Sequence, residues 1–309
     1  MTLADKTIVV TGGKGFLGGF VCNAIEEKGG KAVAIGSKDY NLIEQSDVRR
    51  MYAELKPDIV IHLAAACGGI GANVENPARF LYENAVMGLM LLEEGRHTDL
   101  SKFVLISTTC SYPKDAALPL NEDDIWTGKP VGATGPYGMA KRLLHEACET
   151  YGRQYDLPCV VLVPANLYGP KDHFEEEKSH VIPAIIRRYV EAKDDGLMKV
   201  SNWGTGTPTR EFLHVKDAAE AIALAAEKDV SCEPMNLGTG VETSISELTN
   251  IIANAVGYEG EVVWDTSKPD GQPKRFLDVS RATERLGFVS KISLEDGIAE
   301  TVEWYKQNR

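Results

Sequence analysis

The sequence predicts an α/β fold, a doubly wound parallel sheet followed by a second, smaller mixed α/β unit. Three observations carry that prediction. Short β-branched runs alternate with helical patterns through the first half, which is how βαβ units read. The strand runs are continuously apolar rather than alternating, as expected when helices cover both faces of a sheet. After Gly169 the regularity fades into polar, turn-rich stretches.

In order, strands are predicted at "KTIVVTG", "KAVAIG", "PDIVIHLAA", "SKFVLIST" and "PCVVLVPAN", with helices over 20–28, 81–96 and 137–155 between them. "YGPKDHFEEEKSHVIP" reads as polar loop, and "NWGTGTPTREFLHV" as loop with one short strand. A helix over 217–227, a strand at "EPMNLG", a helix over 246–256 and a last helix from residue 294 follow. The expected division is 1–168 for the first unit, rejoined by about 212–239, with 169–309 forming most of the second. A site would lie in the crevice between the two.

The 309 residues can bury a substantial core. A formal charge of −12 argues against nucleic acid, whose binding draws on Lys and Arg neutralising phosphates. The six cysteines are scattered, without a CxxC pair or a Cys/His cluster at metal spacing, so a reducing compartment and no structural metal are expected. "MTLADKTIVV" enters a strand directly, and no apolar run reaches membrane-spanning length, so the expectation is a soluble cytoplasmic protein.

"TGGKGFLG" ends the first predicted strand and opens a helix. It satisfies GxGxxG through Gly13, Gly15 and Gly18, and GxxGxxG through Gly12, Gly15 and Gly18. Glycines there allow a tight turn and bring backbone N–H groups and a helix N-terminus to a pyrophosphate, which marks a dinucleotide site. An acid ending the second strand would hold the ribose diol of NAD, whereas NADP needs cations for its 2′-phosphate. That strand ends "AIGSKD", reaching Lys38 before Asp39, and Lys14 lies in the glycine loop, so NADP is expected. By position alone, the same two lysines also read as ordinary solvated side chains.

"YGMAK" sets Tyr137 and Lys141 at i and i+4, one turn apart on one helix face. A neighbouring ammonium stabilises phenolate and is expected to lower the phenol pKa, making Tyr137 a proton donor. Thr108, at the end of a strand, offers a second hydroxyl.

Together these features resemble the short-chain dehydrogenase/reductase superfamily, and within it the extended members that epimerise and reduce GDP-4-keto-6-deoxyhexoses. The matching blocks are "AAACGGIGANVENPARF", "TTCSYPK", "YGMAK", "NLYGPKDHF", "SHVIPAIIRR", "WGTGTPTREFLHV", "NLGTG" and "SKPDGQPKRFLDV", spread over nearly the whole chain. The resemblance implies a Rossmann fold binding NADP through Gly12, Lys14, Gly15, Phe16, Leu17, Gly18, Lys38, Ala64, Tyr137, Lys141, Pro164, Asn166, Leu167 and His180. It also implies a reductase triad of Thr108, Tyr137 and Lys141, and Cys110 and His180 as base and acid of epimerisation. Asn166, Arg188, Trp203, Arg210, Lys268 and Asp278 would line a GDP-sugar pocket, and the enzyme would be a homodimer formed through sheet-flanking helices.

The implied activity is NADPH-dependent inversion at C3 and C5 and reduction at C4 of GDP-4-keto-6-deoxy-D-mannose. Three departures stand out: Thr108 replaces the usual serine, Lys14 the usual arginine, and "TGPYG" is a small-residue version of the segment before the tyrosine. Lysine lacks the forked donors of arginine. Considered alone, Cys110 reads as packing and His180 as a surface-loop histidine; in "TTCSYP" and "SHVIP" they read as the proton-transfer pair. The other readings are a 4-keto reductase or 3,5-epimerase for a related GDP-sugar, such as a colitose or heptose type, and a dinucleotide sensor, which commonly loses the Tyr/Lys pair.

Overall fold

The computed structural model describes residues 2–175, 179–268, 270 and 273–309. Its first half alternates strands and helices: β1 (Thr7–Thr11), α1 (Phe16–Glu27), β2 (Lys31–Ile35), α2 (Gln45–Leu55), β3 (Ile59–His62), α3 (Ile70–Glu75), α4 (Pro77–Gly95), β4 (Lys102–Ile106), α5 (Gly135–Tyr155) and β5 (Cys159–Pro164). Then come β6 (Asn166–Tyr168), α6 (Val181–Asp194), β7 (Lys199–Trp203), β8 (Thr209–Arg210), β9 (Phe212–His214), α7 (Val215–Glu227), β10 (Met235–Leu237), β11 (Thr243–Ser244), α8 (Ile245–Val256), β12 (Glu261–Asp265), α9 (Ser280–Leu286) and α10 (Leu294–Asn308).

Six strands form one parallel sheet in the order β10-β5-β4-β3-β1-β2. β3 and β4 are buried along their whole length, which accounts for their continuously apolar runs. Ile8, Val10, Ile61, Val104 and Leu162 face one core; Val9, Val60, Phe103, Leu105 and Val161 face the other. The chain passes from β1 outward to β2 and returns to the other side of β1 with β3, so the strand order reverses there. Crevices at the carboxyl ends of such strands are where doubly wound folds bind ligands.

A third core joins α6, α8 and α10 through Ile182, Ile186, Tyr189, Leu248, Ile252, Ile298 and Val302. The two-stranded pairs β7–β12, β8–β11 and β6–β9 belong to this later part of the chain. Two sequence expectations change here. "SHVIPAIIRR" leads into a 14-residue helix, because Pro183 falls in the first turn, where its missing N–H costs nothing. "NWGTGTPTREFLHV" contains β8 and β9 as well as the end of β7, rather than one strand.

Candidate active site

The carboxyl ends of β1, β3, β4 and β5 place four loops at one edge of the sheet. At the end of β1, Gly12 has φ +69°, and a Cβ there would stand 3.0 Å from the Ala64 nitrogen. The glycine therefore lets the loops after β1 and β3 touch. Thr11 fastens them, its Oγ1 accepting the Ala64 N–H at 3.2 Å and hydrogen bonding His62 Nδ1 at 2.9 Å. α1 begins at Phe16 with no side-chain cap and no acid in its first turn, so its N-terminal field is left for an anion. These features fit a dinucleotide pyrophosphate. Beside the loop, Lys14 Nζ donates to Asp39 at 2.8 Å, and Asp39 also accepts the Gly36 N–H at 2.7 Å. Lys14 thus carries a carboxylate partner, while Lys38 is exposed.

β4 runs into Thr108, Thr109 and Cys110. Thr108 Oγ1 accepts the Cys110 N–H at 3.2 Å, which leaves its own hydroxyl proton to be donated elsewhere. Tyr137 and Lys141 lie on α5. Lys141 is only 1% exposed, and its Nζ donates to the Ile106 carbonyl at 2.8 Å. Burial lowers its pKa to about 8.

The expected lowering of the Tyr137 pKa does not occur: burial raises it, and Cys67 and Cys110 raise it further. The ammonium lies 6.0 Å from the ring centroid and is spent on a carbonyl. The phenol is therefore held in its protonated form, suited to donating.

Gly138 seats Cys110 beside Tyr137, since a Cβ on it would stand 2.1 Å from the Cys110 carbonyl oxygen. Gly138→Ala is expected to cost about 1–3 kcal/mol of stability. It should also lower turnover by roughly 10²-fold through displacement of the thiol, read from the melting temperature and kcat together. A full-activity variant would separate this close approach from the chemistry.

Sequence reasoning did not anticipate Cys67, Arg275 or Asp270. Cys67, in the exposed turn after β3, stands within electrostatic reach of both Tyr137 and Lys141, and burial of its sulfur pushes its pKa up. An Arg275 Nη donates to the Thr109 carbonyl, and the guanidinium lies near Cys110. Arg275 also lies near Arg210, where burial and the neighbouring like charge both lower the Arg210 pKa. Two adjacent, partly buried guanidinium groups suit an anion with several oxygens. "SKPDGQPKRFLDV" contained the signal for Asp270 and Arg275, but not their positions in space.

A cavity of about 220 Å³ is lined by Val181, Trp203, Gly206, Pro208, Arg210, Ile245 and Asp270. Trp203 is 72% exposed and carries Lys268 Nζ 5.7 Å from its ring centroid. Asp278 does not line this cavity: its carboxylate accepts from the Ser280 N–H and Asn121 Nδ2, and the acid in the cavity is Asp270. Arg188 is exposed at the next turn of α6, where its Nη1 donates to Asn202 Oδ1 at 3.1 Å, outside the cavity lining.

Pro164 ends β5, Leu167 pairs with Leu213, and Asn166 Nδ2 donates to the Glu211 carbonyl at 2.8 Å. His180 is the exposed N-cap residue of α6, with Asp172 within its electrostatic reach. Among the described residues, no hydrogen bond joins His180 to Thr108, Cys110 or Tyr137.

Among the described residues there is also no His/Cys/Asp/Glu group able to hold a metal ion, and no helix long and apolar enough to cross a membrane.

A glycine loop at the switch point of a parallel sheet, with a Tyr/Lys pair at the end of the neighbouring strands, defines a nucleotide-dependent dehydrogenase or epimerase. The chain belongs to the NAD dependent epimerase/dehydratase family, whose sequence pattern matches residues 8–238. It is 38% identical over 317 aligned residues to GDP-L-fucose synthase from Escherichia coli (strain K12), covering 99% of this chain and 98% of that protein. It is 33% identical to GDP-L-colitose synthase from Yersinia pseudotuberculosis, covering 96% of this chain and 97% of that protein. Among solved structures, a GDP-L-fucose synthetase from Naegleria fowleri bound to NADP superposes with a TM-score of 0.93 at 29% identity, covering 100% of this chain and 95% of that one.

Proposed function

We propose that this protein is an NADPH-dependent enzyme that inverts C3 and C5 of GDP-4-keto-6-deoxy-D-mannose and reduces C4, forming GDP-L-fucose. The observation that carries the reading is the convergence of Cys110, Thr108 and a protonated Tyr137 at one strand edge, in a chain matched end to end by GDP-L-fucose synthases.

A C4 ketone acidifies the protons on C3 and C5, because the carbanion formed places its charge on the carbonyl oxygen. Thr108 and Tyr137 donate to that oxygen and stabilise the charge as an oxyanion site does. Cys110 removes the proton from one face of the ring, and His180 returns one to the other. In the final step Tyr137 protonates the C4 oxygen, and Lys141, anchored on the Ile106 carbonyl, supplies a positive charge near the phenol. NADPH, when bound, supplies the hydride to C4. Arg210 and Arg275 hold the diphosphate, Trp203 covers a flat face of the ligand and Asp270 accepts from the nucleoside.

The division into a dinucleotide-binding unit at 1–168, rejoined by 212–239, and a substrate-binding unit in most of 169–309 is part of this proposal. So is a homodimer through α4 and α5, supported by the exposed Leu81, Tyr82, Met139 and Leu143 on these helices. Six free thiols suit a reducing, cytoplasmic setting.

The test is to mix the protein with GDP-4-keto-6-deoxymannose and NADPH and follow the loss of NADPH absorbance, identifying the sugar formed. Turnover to GDP-L-fucose is expected; cofactor binding without turnover would favour a sensor. Lys14→Ala should raise the KM for NADPH roughly ten-fold through loss of a charge-assisted contact to the 2′-phosphate. Its KM for NADH should hold steady in parallel assays, and equal changes for both cofactors would place Lys14 away from the phosphate.

A further inference from the structure

Three thiols that the reaction does not use meet at the amino-terminal end of β5, opposite the edge that carries the site. Cys159 opens β5, Cys148 lies on α5, and Cys232 lies in the segment leading into β10. The strand pairing explains how Cys159 and Cys232 find each other. β10 runs parallel to β5 with Met235 opposite Leu162, which brings the segment before Met235, carrying Cys232, to the end of the sheet where Cys159 opens β5. Cys148 and Cys159 belong to the core that α5 covers, and Cys232 packs against that core. Each of the three thiols lies within electrostatic reach of the other two, and none is in a disulfide.

Access and acidity divide the three. Cys148 and Cys159 are buried, whereas Cys232 is half-buried and reachable from solvent. The two neighbouring buried thiols hold the Cys232 thiol well below its usual pKa, and burial pushes that of Cys148 up. The thiolate is the nucleophilic form, so reactivity concentrates on Cys232, the one thiol of the three that is not fully buried.

We propose that this cluster is an oxidation site in which Cys232 reacts with a hydroperoxide and Cys159 resolves the product into a disulfide across the β5–β10 seam. In the first step the Cys232 sulfur attacks the peroxide, an S–O bond forms, the O–O bond breaks, and water or an alcohol leaves. Cys232 becomes a sulfenic acid. In the second step the Cys159 sulfur attacks that of Cys232, the S–S bond forms, the S–O bond breaks and water leaves. Two thiols give up two electrons and two protons, and the peroxide is reduced. The bridge ties down β10, which leads into the Thr239 and Gly240 N–H groups held by Glu211 next to Arg210.

The experiment uses the full chain with Cys67 and Cys110 replaced by serine, so that the site's own thiols do not react. The reduced protein is treated with stoichiometric hydrogen peroxide, then alkylated and digested. The expected result is a mass loss of about 2 Da, the two hydrogens given up in forming one disulfide, with a cross-linked peptide joining Cys159 to Cys232. The melting temperature should rise on oxidation and fall back on reduction. Adding Cys232→Ser, or Cys232→Ala should the serine variant fold poorly, should abolish both changes. Cys232 recovered as a sulfinic acid with Cys159 reduced, a bridge to Cys148, or an unreacted Cys232 would each overturn the proposal.

Discussion

Tyr137→Phe is expected to lower the rate of NADPH consumption by about 10²- to 10⁴-fold, the range for loss of one general acid. That corresponds to roughly 2.7–5.5 kcal/mol of transition-state stabilisation. The substitution deletes only the hydroxyl and keeps the ring among its neighbours, so the fold and dinucleotide binding should survive. The phenol is also a donor to the oxygen that carries the enolate charge, so proton exchange at C3 and C5 should fall along with reduction. Steady-state kinetics, a melting curve and an NADPH titration together check the prediction. A variant that keeps more than a tenth of the activity would assign the proton to another group, and Cys67, which lies within reach of both Tyr137 and Lys141, would be the first to test.

Cys110→Ser is expected to separate the two halves of the reaction. Serine keeps the size and the hydrogen bond from the residue 110 N–H to Thr108. Its hydroxyl is a far weaker base than a thiolate near neutral pH, so inversion should fall by about 10²- to 10⁴-fold. Reduction of a ketone already inverted at both carbons does not call on the thiol, and its rate should hold within a few-fold. Comparing the variant on the two substrates checks this. Equal losses on both would mean that the Cys110 side chain, within electrostatic reach of Tyr137, positions the phenol rather than moving a proton.

The parts of this molecule that were legible in its sequence are those written by local chemistry. The glycine turn after β1, the continuously apolar strands and the Tyr137/Lys141 spacing each need only a few neighbouring residues to be read. α2 was not anticipated: only Val48, Met51 and Tyr52 of its residues are buried, and its surface is heavily charged. α6 was obscured by Pro183, which suggests a break when its place in the first turn is not known.

The site was legible as a set of motifs but not as an arrangement. The pKa of Tyr137 was expected to fall because the spacing places an ammonium nearby; it rises because burial outweighs an ammonium that is turned to the Ile106 carbonyl. Asp270 lines the cavity with Trp203 and Arg210 while Asp278 of the same motif bonds Ser280 and Asn121, and two acids in one motif cannot be told apart until the chain is folded. The Lys14–Asp39 pair joins loops 25 residues apart, and the meeting of Cys148, Cys159 and Cys232 depends on the pairing of β5 with β10. Strand register across a parallel sheet is a long-range property that no local pattern encodes.

The most direct test of the account is to run the complete reaction in deuterium oxide with NADPH and GDP-4-keto-6-deoxymannose, and to locate the label in the product. A single site that both inverts and reduces predicts solvent deuterium at C3 and at C5, with one NADPH consumed for each sugar formed. NADPH consumed without label at either carbon would contradict it and leave a ketone reductase in its place.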